Sequence, residues 1–184
     1  MKKLILLVLS TSLAISLCSC GESVELSASG VPESPPASFQ LSEYKTDVAA
    51  YRDLTYQASI ILANVGNYEN NYWKALGRLS EDMPSKAFEW LSENSEETQE
   101  TVSASNEDIG SDYDALISTD FGENADAAEI DAEVRALYDG YSALYSLVTE
   151  PSGTREDFVL SLSGLIEDVE IAKDALSGLL SEGE

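Results

Sequence analysis

The chain has 184 residues, with 34 Asp and Glu against 10 Lys and Arg, no histidine and two cysteines. Without histidine there is no Ser-His-Asp or Cys-His catalysis, no imidazole zinc site and no Glu-x-x-His di-iron bundle. A formal charge of −24 argues against nucleic acid as a partner, and 43% apolar content is too high for an acidic disordered chain.

The chain opens on Lys2 and Lys3, a positive n-region, followed by an apolar run of 14 residues from Leu4 to Leu17. That run suits a signal h-region and is shorter than the roughly 20 residues a spanning helix needs. It ends in Leu17-Cys18-Ser19-Cys20-Gly21, with Leu three residues before the last Cys and a small residue directly before it. Cys18 does not fit that pattern, because bulky Leu17 precedes it. The segment resembles a bacterial lipobox. The resemblance implies a lipid (palmitate-type acyl chains) on the Cys20 thiol and cleavage after Ser19. A mature chain of 165 residues would then carry 8 basic and 34 acidic residues, net −26. Cys18 would be discarded and Cys20 capped, leaving no free thiol, disulfide or thiolate metal site. Several acyl chains hold a protein to a membrane durably, whereas one binds reversibly. An ordinary secretory signal and an uncleaved anchor are the alternatives.

Residues 20–40 hold the lipid-bearing Cys20 and then a Ser/Pro-rich stretch, GESVELSASGVPESPPASFQ, without helical or strand period. They are expected to form a linker, with a root-mean-square reach of about 25 Å as a flexible coil. Residues 41–184 are expected to be the folded domain.

After Gln40 the apolar spacing turns helical. Leu41, Tyr44, Val48, Tyr51, Ala58, Leu62, Val65, Tyr72, Leu76 and Leu79 follow three-four steps. Leu54, Ile61 and Tyr68 form a second stripe at seven-residue spacing, so this helix is expected at the centre with two packing partners. Gly66, with three asparagines nearby, is a possible kink. A second helix is expected to open near Asp82, with Pro84 in its first turn and Phe88, Leu91, Val102, Ile109, Tyr113 and Leu116 on its seam. A third opens at Asp126 with Glu129 at capping-box spacing. Its seam is Ala127, Ile130, Val134, Leu137, Tyr141, Leu144 and Val148, stopped by Pro151 and Gly153. Thr154 caps a fourth, with Glu156 and Asp157 in the first turn. Phe158, Leu162, Leu165, Val169, Ala172, Leu176 and Leu179 hold its seam. Coiled-coil-like heptads and short turns predict an all-α, antiparallel up-down four-helix bundle with a longer first hairpin, standing on a flexible N-terminal tether.

Charge is divided unevenly. Residues 41–80 are net neutral, whereas residues 81–184 carry 4 basic and 27 acidic side chains, net −23. Such a surface repels anionic polymers and favours cationic partners or divalent ions, and it also serves simply as a solvated coat. A metal held by carboxylates alone would be calcium or magnesium. No segment follows the D-x-[DN]-x-[DN]-G loop, and the best acidic cluster, Asp120 to Asp131, suits a capped, solvated turn or a weak site for a divalent ion. Close carboxylate pairs of the glycosidase kind arise by chance in so acidic a segment.

Aromatic and polar clusters offer the remaining sites. Tyr138 and Tyr145, seven apart around Tyr141, suit either a carbohydrate or peptide platform or core rings whose hydroxyls reach water. Tyr68, Tyr72 and Trp73 form a second aromatic group. Ser92 to Thr101 (SENSEETQET) has no apolar side chain, yet Ser95 and Thr98 fall on core positions opposite Val65 to Leu62. They suit close helix approach, a solvated bulge or a polar groove.

Lipobox, Ser/Pro linker and helical domain together resemble small uncharacterised surface lipoproteins of Gram-positive bacteria. The resemblance implies a cell-membrane protein, held on the extracytoplasmic face through its lipid. The expected function is a non-catalytic interaction module with a protein or cell-wall partner and no cofactor. The alternatives are an exclusion or immunity lipoprotein of a phage or mobile element, and a carboxylate-dependent cell-wall hydrolase.

Overall fold

The structure, a computed structural model, describes residues 39–75 and 96–181, which belong to one compact unit, Ala37–Glu184. The expectations for Leu17, Ser19 and Cys20, for most of the linker, and for Leu76 through Ser95 lie outside the described residues.

Four helices follow one another: α1 (Leu41–Ala75), α2 (Glu96–Ile117), α3 (Ala125–Thr149) and α4 (Arg155–Ser181). They form an all-α four-helix bundle in which α1 packs against all three others. Side-chain pairings fix the directions. Lys45 Nζ donates to the Leu179 carbonyl at 2.9 Å, and Gly66 lies against Leu162, so α1 and α4 are antiparallel. Ala58 and Leu62 meet Val102 and Ser105, while Tyr51 lies beside Leu116, so α2 runs back along α1. Tyr113 of α2 stacks on Tyr138 of α3, and Gly140 of α3 touches Val169 of α4. The up-down order expected from the short turns is therefore present.

Local chemistry sets the helix ends. Asn124, not Asp126, caps α3: its Oδ1 accepts from the Ala127 amide at 2.9 Å. Asn and Asp cap equally well, and the earlier position leaves Asp126 in the first turn, where its charge faces the positive helix end. Asp120 Oδ1 accepts from the Gly122 amide, and Gly122 takes φ +57° to turn the chain between α2 and α3. Thr154 caps α4 as expected, accepting from the Asp157 amide and donating to the Asp157 carboxylate at 2.7 Å. Gly153, at φ +79°, makes the preceding turn.

The core runs the length of the bundle. All seven expected α3 seam residues are buried, as are Phe158, Leu162, Val169, Ala172 and Leu176 of α4. Val102, Ile109 and Leu116 bring α2 into it. Phe39, expected at the end of the linker, already packs on the core, its ring 5.7 Å from Tyr44 and 6.2 Å from Phe121.

Helix α1 departs from its expected stripe in three ways. Trp73 is 3% exposed while Tyr72 is only half-buried, so the buried position near the end of α1 falls one residue later. Tyr68, expected on the second stripe, is 48% exposed. The helix also runs on through Gly66. A Cβ at Gly66 would lie 2.9 Å from Leu162 Cδ1 and 3.3 Å from Val148 Cγ2, so glycine here permits close approach of three helices.

Candidate functional site

Three features stand out from the apolar core. The first is a seam of tyrosines between α1, α2 and α3. The Tyr113 and Tyr138 rings stack at 3.8 Å and 6° interplanar angle, and Tyr141 and Tyr145 lie 6.4 Å apart at 36°. Tyr138 and Tyr145 are half-buried, and one face of the Tyr138 ring is occupied by Tyr113. Tyr51 is buried on the α1 side, with its hydroxyl and that of Thr55 facing one another and shut from solvent. Burial pushes the Tyr51 and Tyr141 phenols up from their ordinary value. Thr98, in the first turn of α2, is half-buried, and Ser95 lies outside the described residues.

The second feature is Glu69, one of three buried polar or charged residues among those described, with Thr55 and Ser59. Ser59 donates to the Thr55 carbonyl at 2.8 Å. Glu69 has no such relief. It is 1% exposed, and neither carboxylate oxygen has a hydrogen-bond partner. Burial pushes its carboxyl up to about 8, so it stays protonated at neutral pH. Asn70 Oδ1 and Trp73 Nε1 on the same stretch of α1 are likewise buried and unpartnered, as is Arg155 Nε at the start of α4. Glu69 was missed because the sequence stripe was drawn through apolar residues alone. Its spacing was the available signal: Leu62, Val65, Glu69 and Trp73 keep the three-four steps.

The third feature is a surface groove of about 420 Å³ between α3 and α4. Gly140 lies along it where the two helices come close: a Cβ there would sit 3.2 Å from Val169 Cγ2 and 3.6 Å from the Val169 nitrogen. Leu165, Ala172 and Ala136 line it with Ile171, and Glu133, Asp139 and Asp168 stand along it. Ile171 is 60% exposed, and Leu160 on the same helix is 76% exposed. A second groove of about 320 Å³ lies between α1 and α2, with Asp47 and Asp112 from opposite walls and Tyr51, Leu116 and Thr119 between them.

The expected capped turn between Asp120 and Asp131 uses its polar groups internally. Asp120 holds the Gly122 amide, and Asp131 pairs with Arg135 at 2.8 Å. Among the described residues, no group of three His, Cys, Asp or Glu side chains is placed to hold a metal ion. No described helix is long and apolar enough to cross a membrane.

Fold and site define an acidic helical bundle with a carboxylate-lined, partly apolar groove on its surface. No family model matches the chain, and no curated protein or solved structure is significantly similar to it.

Proposed function

We propose that this chain is an extracytoplasmic lipoprotein, anchored to the membrane through Cys20, whose helical domain is a non-catalytic interaction module. The observation that carries the reading is Leu17-Cys18-Ser19-Cys20 directly after a basic start and a short apolar run. The bundle's chemistry supports it: a coat of carboxylates and open grooves on a solid core suit recognition of another surface.

Two measurements test the reading. A fatty-acid analogue fed to cells making the protein should label the wild type and not Cys20→Ala. No label on the wild type, or label that survives in the variant, defeats the anchor. In-cell crosslinking of the tethered protein should recover a defined partner by mass spectrometry. Turnover of purified cell wall, abolished by substituting a single carboxylate, would replace the interaction module with a hydrolase.

A further inference from the structure

We propose that the α3–α4 groove, together with the outer face of α4 beside it, docks a cationic amphipathic segment of a partner protein. The inference rests on the interaction-module reading and names the partner's chemistry.

The outer face of α4 is built against its own interest as a solvated surface. Leu160, Gly164, Ile171 and Gly178 recur at helical spacing on the side opposite the buried seam of Phe158, Leu162, Val169 and Leu176. Leu160 and Ile171 are three turns apart, about 16 Å along the axis. A Cβ on Gly164 or Gly178 would meet nothing within 4 Å, so no internal contact calls for glycine there. Glycine inside a helix weakens it, and its missing side chain leaves room for another chain to come close. Ile171 belongs both to this face and to the groove, which joins them into one surface.

Charge selects the occupant. Glu133, Asp139 and Asp168 line the groove, and Glu167 stands exposed beside Ile171 on α4. Two of the three basic residues of α3 and α4 are held in ion pairs. Arg135 is held by Asp131, and Lys173 pairs with Asp174 and sits 4.9 Å over the Tyr56 ring of α1. Arg155, the first residue of α4, is outside the groove lining, and its Nε is buried. A second copy would therefore set carboxylates against carboxylates, whereas Lys or Arg flanking two or three apolar residues would match both the acids and the exposed Leu160 and Ile171.

The test uses the full chain in a non-ionic detergent, passed over an immobilised amphipathic Leu/Lys helical peptide of about four turns, with a Leu/Glu peptide and detergent alone as references. The chain should bind the Lys peptide and not the Glu peptide. Ile171→Glu, Leu160→Glu and the pair Asp139→Asn with Asp168→Asn should each weaken binding by about tenfold or more. The matched pair Glu107→Gln with Asp108→Asn, on the exposed face of α2, should leave it unchanged. Binding to neither peptide, or an equal loss from the α2 pair, overturns the proposal. Self-association of the chain that Ile171→Glu abolishes overturns it in favour of a second copy. Failure here leaves Cys20 labelling and partner crosslinking intact, so the general reading and this one fall separately.

Discussion

Helices α1 and α3 run parallel through the same core and solve the same packing problem with different chemistry. Apart from Gly140, where α4 comes close, α3 buries only apolar residues and one tyrosine. Helix α1 buries Thr55, Ser59 and Glu69 among its apolar residues, and the Tyr44 hydroxyl and the Glu69 carboxyl find no partner. An apolar seam is stabilised by every residue it removes from water, whereas a buried polar group without a partner works against that gain. The difference predicts that substitutions in the two helices will move stability in opposite directions.

The largest test is pH. Glu69 has its carboxyl pushed up from 4.5 to about 8 by burial. Below the ordinary carboxylate value both folded and unfolded chains are protonated there. Between that value and about 8 the unfolded chain ionises while the folded one does not, so stability falls as pH rises. Above that range both are ionised and the penalty is constant, on the order of 3–5 kcal/mol. Glu69→Gln should remove this slope. Chemical denaturation of both proteins at several pH values isolates it, because the shared acidic coat cancels in the difference. Parallel pH profiles would mean that Glu69 titrates as an ordinary surface carboxylate.

On the α3 side, Leu137→Ala should destabilise by about 2–5 kcal/mol. Leu137 is fully buried in a seam whose one residue with a polar group is Tyr141. The midpoint of denaturant unfolding reads the effect, and a loss under about 1 kcal/mol would show that this seam is less tightly packed than its burial implies.

The α1 counterpart goes the other way. The double variant Tyr51→Phe with Thr55→Val keeps both shapes and removes together two buried hydroxyls that face one another. It should gain about 1 kcal/mol, since replacing buried polar groups by apolar ones of the same shape is neutral to stabilising. A clear loss in the same denaturation experiment would show that the two hydroxyls support one another in the folded protein.

The same contrast explains what was legible in the sequence. In α3 residue type and helical spacing agree, so the seam could be read directly from Ala127 to Val148. In α4 they agree again, and Thr154 announced its own cap. In α1 spacing and residue type part company at Thr55, Glu69 and Trp73. A stripe drawn through apolar residues stepped from Tyr51 to Ala58 and from Val65 to Tyr72, passing over positions that the same periodicity marks as buried. The groove was not legible at all. It depends on which α4 side chains α3 leaves uncovered, and that follows from packing between helices.

The smallest test separates glycines that hold helices together from glycines that do not. Gly140 and Gly164 both interrupt otherwise regular helices, and alanine is the better helix former at either position. At Gly164 a Cβ meets nothing within 4 Å, so Gly164→Ala should stabilise by about 0.5–1 kcal/mol. At Gly140 the new Cβ would come 3.2 Å from Val169 Cγ2 and 3.6 Å from the Val169 nitrogen, which belongs to the α4 backbone. The nitrogen at that distance is an ordinary contact, so the group that must give is the Val169 methyl, on a fully buried, β-branched side chain with little freedom to rotate. That overpacking should turn the helix-forming gain into a net loss of about 1 kcal/mol. Thermal unfolding of the two single variants decides the matter. If Gly140→Ala stabilises as much as Gly164→Ala, the α3–α4 contact does not need glycine.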